Sequence, residues 1–378
     1  MPVYLDNAAT TKPCDACAEA MLAAMRDTYG NPSSLHTMGL DAEKTVDAAR
    51  RQIASALHCE PSALTFTSGA TESNHLALRG AAAAYGKRKK RIVASSIEHA
   101  CVRGALEQLE ADGFEVVRIA PQPDGRFDAA AFAAAADENT CLVTMMLVNN
   151  ELGTVLPVQQ AFSAVKRRFP EIITHTDAVQ GFLKIPFSPE SLCADLLTVS
   201  GHKVHACKGI GALYHKKGIR LKPLLTGGEQ EGGLRAGTES VPLIAGFGAA
   251  AAFLAPTLTE RAETVRALRT AAIGQLTSLG GMTVQSPEDG SPYILSISLQ
   301  GLRSETVLHF LAERGIYVSS GSACSKGRQS GVLQAFGIRQ EAADSTLRVS
   351  FCAENTEEDV MALTEGIAAA QARLVRRK

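Results

Sequence analysis

An α/β domain with a largely parallel sheet, followed by a smaller α+β domain, is the fold that this sequence predicts. Three observations carry the expectation. Between residues 63 and about 214, short β-branched or apolar runs alternate with stretches of helical composition, as in strands linked by covering helices. Beyond a long helical run at 261–276 the pattern changes to period-two alternation. At 378 residues, with 46% hydrophobic and 20% charged side chains, the chain has ordinary globular composition and can bury a substantial core without staples.

In chain order, Leu64-Thr65-Phe66-Thr67 predicts a strand that breaks at Gly69 and leads into a helix over 72–83. Residues 92–94, 116–119, 141–148, 172–175 and 196–199 predict further strands, and 100–110, 128–135 and 158–169 predict helices between them. In the second part, 294–299 and 347–351 alternate as strands, and 305–314 reads as a helix. The last helix, over 356–370, is introduced by Thr356 with Glu357, Glu358 and Asp359 in its first turn, where acids suit the exposed amides. The expected organisation is an N-terminal segment (1–15) packed on the small domain, a large domain over 16–255 and a small C-terminal domain over 256–378.

Composition excludes several classes. The longest apolar runs, such as 241–254, contain Pro and small residues and fall short of a membrane span. With no basic n-region and no small-residue cleavage site after an apolar stretch, a cytoplasmic protein is expected. Nine cysteines, at 14, 17, 59, 101, 141, 193, 207, 324 and 352, form an odd, scattered set that argues against a disulfide framework. Cys14 and Cys17 read as positions on the first helix. A net charge of −1 gives no general attraction to nucleic acid or membrane. The basic run Lys87-Arg88-Lys89-Lys90-Arg91 reads as a solvated edge before a strand, or else as a docking patch for an acidic partner.

Ligands of open α/β sheets bind beyond the carboxyl ends of the strands, and four polar clusters fall there, on one rim. Thr67-Ser68-Gly69-Ala70-Thr71-Glu72 is a glycine turn opening a helix; its free amides and the Thr71 hydroxyl suit a phosphate, although the same residues make an ordinary N-cap. Asn149-Asn150-Glu151, then His175-Thr176-Asp177-Ala178-Val179-Gln180, then Ser200-Gly201-His202-Lys203 follow later strands. A lysine at a strand end is commonly a solvated group, but here it joins an acid, an amide and a phosphate-ready turn. Pyridoxal phosphate needs such a set: a lysine to bond its aldehyde, an acid to keep the pyridine nitrogen protonated, amides for the ring hydroxyl, and amides and hydroxyls for the phosphate. A fifth cluster, in the smaller domain, is rich in Gly and Ser and presents Cys324 near Lys326 and Arg328. Nearby positive charge favours thiolate, the reactive form. Cys101, Cys141 and Cys193 are expected to be inert packing.

Taken together these residues resemble the cysteine desulfurases of the class V aminotransferase family, within the type I fold of pyridoxal-phosphate enzymes, and the housekeeping group more than the sulfur-mobilisation group. The match runs nearly end to end. It includes Tyr4-Leu5-Asp6-Asn7-Ala8-Ala9-Thr10-Thr11, Gly30-Asn31-Pro32-Ser33-Ser34, Phe66 through Asn74, Glu98-His99 and Val148-Asn149-Asn150-Glu151-Leu152-Gly153. Asp177 through Gln180, Ser200 through Lys203, Leu234-Arg235-Ala236-Gly237-Thr238, Ser319 through Cys324 and Arg348-Val349-Ser350 complete it. The resemblance implies a mainly parallel sheet of the seven-stranded type, pyridoxal phosphate as cofactor, L-cysteine as substrate and a homodimer. It implies that Lys203 holds the cofactor, His99 stacks on its ring, Asp177 pairs with the ring nitrogen, and Asn150 and Gln180 bond the ring oxygen. Phosphate falls to the Ala70 and Thr71 amides, Ser200, His202 and Thr238, the last reaching into the neighbouring subunit's site. Arg348, with Asn31, clamps the substrate carboxylate, for which a guanidinium fork is suited.

Two features depart from the family pattern. Gly227-Gly228-Glu229-Gln230-Glu231-Gly232-Gly233 stands where relatives commonly have a third glycine at 229 and a basic residue at 232. The loop after Cys324 is a little shorter than in the best-known relatives. The reaction implied is transfer of sulfur from L-cysteine to Cys324, leaving L-alanine, with His99 moving a proton between thiol and cofactor. A protein acceptor then takes the sulfur: an iron-sulfur scaffold, a tRNA-thiolating enzyme or a thiamine-pathway carrier. A selenocysteine lyase or simple aminotransferase of the same fold is the nearest alternative, and a transaminase has no need of a nucleophilic cysteine on a Gly/Ser loop. A scaffold homologue without activity is the alternative of another class; Lys203, Asp177, His99, Cys324 and Arg348 argue against it. No metal site is expected.

Overall fold

The computed structural model describes residues 2–320 and 331–375. Among them the strands are β1 Val3–Tyr4, β2 Leu64–Thr67, β3 Arg91–Ser95, β4 Glu115–Ile119, β5 Thr140–Thr144, β6 Ile173–Asp177, β7 Leu196–Ser200, β8 Gly211–His215, β9 Met282–Val284, β10 Ile294–Leu299, β11 Ile316–Tyr317, β12 Ser319–Ser320 and β13 Thr346–Ser350. Seven of them form one sheet in the order β2-β8-β7-β6-β5-β3-β4. The five from β7 to β4 are parallel, while β8 runs against both of its neighbours. In β5, β6 and β7 every residue is buried, as in a sheet covered on both faces. Alternate residues serve the two faces: Ile92, Leu142 and Leu196 pack with helices Ala70–Tyr85 and Ala100–Ala111, whereas Val93, Val143 and Leu197 join a larger core on the other side.

The second sheet, β12-β13-β10-β9, is antiparallel and has its own core with helices Leu258–Ser278, Ser304–Ala312 and Glu357–Arg373. Thr356 caps the last helix in a reciprocal pairing with Asp359. The start of the chain belongs to this core: β1 pairs with β11, and Leu5 and Ala8 are buried among its residues.

Sequence reading misses the short strand β8 and the helix Thr37–Leu57, whose buried face, Gly39, Ala42, Val46, Ala49, Ile53 and Leu57, recurs every three or four residues but is built largely of small side chains. It also underrates the helical run Val241–Ser278, which is long and apolar enough to cross a membrane because Leu258–Ser278 continues it. Its apolar end is nonetheless a packing element. Gly246 and Gly248 lie so close to Met21 and Ala49 that a Cβ would come within 2.6 and 2.5 Å of them. Cys14 is the N-cap residue of helix Asp15–Arg26, and Cys17 is buried inside that helix, 3.9 Å from the Cys207 sulfur. The basic run is an edge before β3: Lys89 pairs with Glu171, Arg91 with Glu115 and Asp137, and Lys90 lies over the Phe114 ring.

Candidate active site

The carboxyl ends of the parallel strands gather the polar clusters on one rim. Asp177 ends β6; Lys203 ends the single turn Gly201–Lys203 that follows β7; His99 stands between β3 and helix Ala100–Ala111; Asn150 follows β5. Ala70 and Thr71 begin the helix after β2. Its N-cap, Gly69, has φ +147, which a side chain rarely adopts, and no side chain caps the helix. The first-turn amides therefore remain a site for an anion. Gly211 on β8 leaves room for that turn, since a Cβ there would come within 2.8 Å of Gly69 Cα.

Asp177 is buried and accepts from Asn74 Nδ2 at 2.8 Å and from the Val179 amide at 3.0 Å. Asn74 also donates to Cys101 Sγ at 3.2 Å, and that sulfur lies 3.0 Å from His99 Nδ1. Lys203 Nζ donates to the Ala8 and Ala9 carbonyls at 2.7 and 2.6 Å. Gln180 is buried, with Nε2 donating to the same Ala8 carbonyl at 2.9 Å. His202 meets Thr10 Oγ1 at 3.3 Å, and Ser200 is buried at the end of β7. On the small-domain side, Arg348 donates to Asn150 O at 3.0 Å, Asp6 Oδ1 at 3.0 Å and Ser319 Oγ at 3.1 Å, while its buried Nε has no partner among the described residues.

The electrostatics favour neutral imidazoles. Burial lowers His99, Lys203 and Arg103 add to it, and Asp177 opposes them, although the residue is exposed at the rim. Burial, with Lys203 and other cations, brings His202 to about 4. Burial raises Cys101 to about 11, and raises Glu98, fully enclosed beneath the rim with Asp177 adding to it, to about 8. Sequence reasoning includes Asn74, Glu98, Ala8 and Ala9 only within the matched segments and assigns them no role, and it treats Cys101 as simple packing although that thiol lies 3.0 Å from His99. A paired Ser73-Asn74 inside an otherwise apolar helix face is the one signal that points to Asn74.

Asn31 and Thr238 are exposed and, among the described residues, no hydrogen bond ties either one to the rim; Asn31 caps its own turn through the Ser33 amide at 3.0 Å. Cys324 lies outside the described residues. The glycine-rich segment is held by Glu231, which pairs with Arg50 at 2.7 Å and accepts from the Phe66 amide at 2.9 Å. Glu231 and Gly232 both have left-handed backbone, with φ +50 and +63, so glycine at 232 suits this turn. A phosphorylated aromatic aldehyde fits the donor set: an uncapped helix N-terminus, a buried carboxylate, an amine, and a buried Asn74 Oδ1 with no partner among the described residues.

Comparison with known proteins gives the same picture. The aminotransferase class-V family model matches residues 3–363. The chain is 39% identical over 367 residues to a cysteine desulfurase of Nostoc sp., covering 95% of this chain and 90% of that protein. A solved NifS-like protein superposes with TM-score 0.94 at 38% identity, covering 99% and 100% of the two chains. A structure titled SspA in complex with cysteine has TM-score 0.83 at 34% identity, covering 93% and 99%. Families of this kind depend on pyridoxal phosphate. The chain belongs to the class-V aminotransferase family, as a cysteine desulfurase.

Proposed function

We propose that this chain binds pyridoxal phosphate through Lys203 and moves the sulfur of L-cysteine to Cys324. The observation that carries the reading is the convergence on one rim of the Lys203 amine, the Asn74-clasped Asp177 and the uncapped helix N-terminus. When bound, the cofactor supplies an electron sink adjacent to the substrate's α-carbon. Asp177 would keep its ring nitrogen protonated, Asn150 and Gln180 would bond its ring oxygen, and His99 would stack on its ring. Ala70, Thr71, Ser200 and His202 hold its phosphate, with Thr238 of the second subunit of a homodimer. The likeness to SspA in complex with cysteine supports L-cysteine as substrate. Arg348, oriented by Asp6 and Ser319, binds the carboxylate together with Asn31.

The Lys203 amine would be the base that takes the α-proton. The Cys324 thiolate then attacks the substrate sulfur. A new S–S bond would form as the C–S bond breaks with its electron pair left on the β-carbon; protonation there, and return of the α-proton from Lys203 to the α-carbon, would yield L-alanine beside a Cys324 persulfide. His99, whose pKa is lowered, can accept the thiol proton. The persulfide passes to a protein acceptor, an iron-sulfur scaffold or a tRNA-thiolating enzyme, in the cytoplasm. The chain divides into a segment 1–15, a cofactor domain 16–255 and a small domain 256–378 that carries the cysteine loop.

Cys324→Ser tests the reading, since the hydroxyl is barely ionised where a thiol near 8.5 is partly so. The variant is expected to stay yellow and still respond spectrally to L-cysteine, while alanine release and the persulfide mass increment both collapse. Persulfide found on Cys101 instead, or undiminished alanine release, would refute the assignment.

A further inference from the structure

Lys184 is buried, four residues beyond Gln180, in a turn where Leu183 adopts φ +54. That backbone is uncommon for a residue with a Cβ. Lys184 Nζ donates to Gln180 Oε1 at 3.0 Å and lies 5.7 Å from the centre of the Tyr293 ring. The ionisable groups that bear on it are Lys203, Arg348, Cys352, His202 and His205, and it has no carboxylate partner among the described residues. Enclosing an amine among other bases, with no acid to offset the lost hydration, is unfavourable. A role beyond packing is called for.

Gln180 supplies that role. Its Nε2 donates to the Ala8 carbonyl at 2.9 Å, and the same carbonyl accepts from Lys203 at 2.7 Å. A carbonyl only accepts, and an ammonium only donates. Turning the Gln180 amide over would set oxygen against oxygen and donor against donor, so these two neighbours fix its orientation. An amide nitrogen has two hydrogens; one is spent on Ala8, and the other remains.

We propose that Lys184 is a positioning residue: it locks the Gln180 amide so that the remaining N–H is presented to the ring oxygen of pyridoxal phosphate. The inference rests on the cofactor reading above. Burial, with Lys203 adding to it, brings the Lys184 amine to about 7; a neutral amine can accept as well as donate, so above that pH the orientation rests on the Ala8 carbonyl, which only accepts.

The test uses the whole protein loaded with pyridoxal phosphate. The cofactor dissociation constant and the pH midpoint at which the yellow band fades are measured for wild type, Lys184→Met, Gln180→Ala and the double variant. Lys184→Met is expected to weaken cofactor binding about three- to tenfold, the worth of one neutral hydrogen bond, and to move the midpoint upward, because a ring oxygen that loses a donor becomes more basic. Both changes should vanish where Gln180 is already alanine. Lys184→Gln keeps an N–H donor without the charge and should stay close to wild type, which guards against a Lys184→Met protein that does not fold. The proposal is overturned if Lys184→Met matches wild type, if its effect is undiminished in the Gln180→Ala background, or if Lys184→Gln loses as much as Lys184→Met. Wild-type protein that takes up no chromophore would overturn the cofactor reading itself.

Discussion

Replacing Glu231 by alanine should unfasten the glycine-rich segment from the edge of the large sheet. The Glu231 side chain is 2% exposed and its partner Arg50 is 16% exposed, so water screens the pair little. One carboxylate oxygen meets Arg50 Nη2 at 2.7 Å; the other meets Nη1 at 3.0 Å and covers the Phe66 amide at 2.9 Å. That amide belongs to β2, an edge strand with no strand on its outer side among the described residues. Arg50 would keep the Leu64 carbonyl at 2.7 Å and its position over the Phe66 ring. The loss is thus one charge-assisted fork and one orphaned amide, about 3 kcal/mol together. With an unfolding entropy of about 2.1 cal/mol/K per residue over 378 residues, Tm should fall by about 4 °C. Urea unfolding and calorimetry measure both quantities. Arg50→Met/Glu231→Leu, which leaves no unpaired charge, should lose less than Glu231→Ala alone. A single variant within about 0.5 kcal/mol of wild type, the scatter of an ordinary surface change, or a double variant worse than the single, would refute the reasoning.

Two further outcomes follow from the rim. Gly211→Ala would drive a Cβ to within 2.8 Å of Gly69 Cα and of the Val199 carbonyl, so the helix N-terminus must move; cofactor retention measured by equilibrium dialysis should drop about tenfold or more, and unchanged retention would count against the phosphate assignment. Glu98 is raised from 4.5 to about 8 by burial, with Asp177 adding to it. The folded protein therefore holds a proton that the unfolded chain has released, and the stability this gives is full below pH 4.5 and drains away as pH rises through about 8. Relative to Glu98→Gln, which cannot ionise, wild type should lose on the order of 1 kcal/mol per pH unit within that window, and parallel urea midpoints for the two proteins between pH 5 and 8 would contradict it.

The rim was legible because its chemistry lies at strand ends, where one-dimensional order and three-dimensional position coincide. The runs ending at Thr67, Asp177 and Ser200 mark the same edge of the same sheet, so the sequence alone groups Thr71, Asp177 and Lys203. The contacts that support them were not legible. Asn74 reaches Asp177 across 103 positions, and Ala8 meets Lys203 across 195; neither backbone carbonyls nor a buried amide leave a periodic trace. Glu231 was read as part of a departure in a glycine-rich segment, whereas its geometry shows an acid that satisfies an edge strand. Lys184 resembles any lysine after a turn in sequence, yet it is buried, beside a Leu183 with left-handed backbone.

The first strand has a consequence for the order in which the molecule comes into being. Val3 and Leu5 bond to the carbonyls of Gly315 and Tyr317, and Asn7 reaches the Ser350 carbonyl, 343 positions later. Only then are the Ala8 and Ala9 carbonyls fixed where Lys203 finds them. A growing chain can fold its large sheet well before Ser350 is made, yet the lysine is not fully held until nearly the whole sequence has been translated. Truncated products would therefore carry an incompletely assembled rim, and only a chain made through its second core would hold Lys203, through Ala8 and Ala9, and Arg348, through Asp6, in one arrangement.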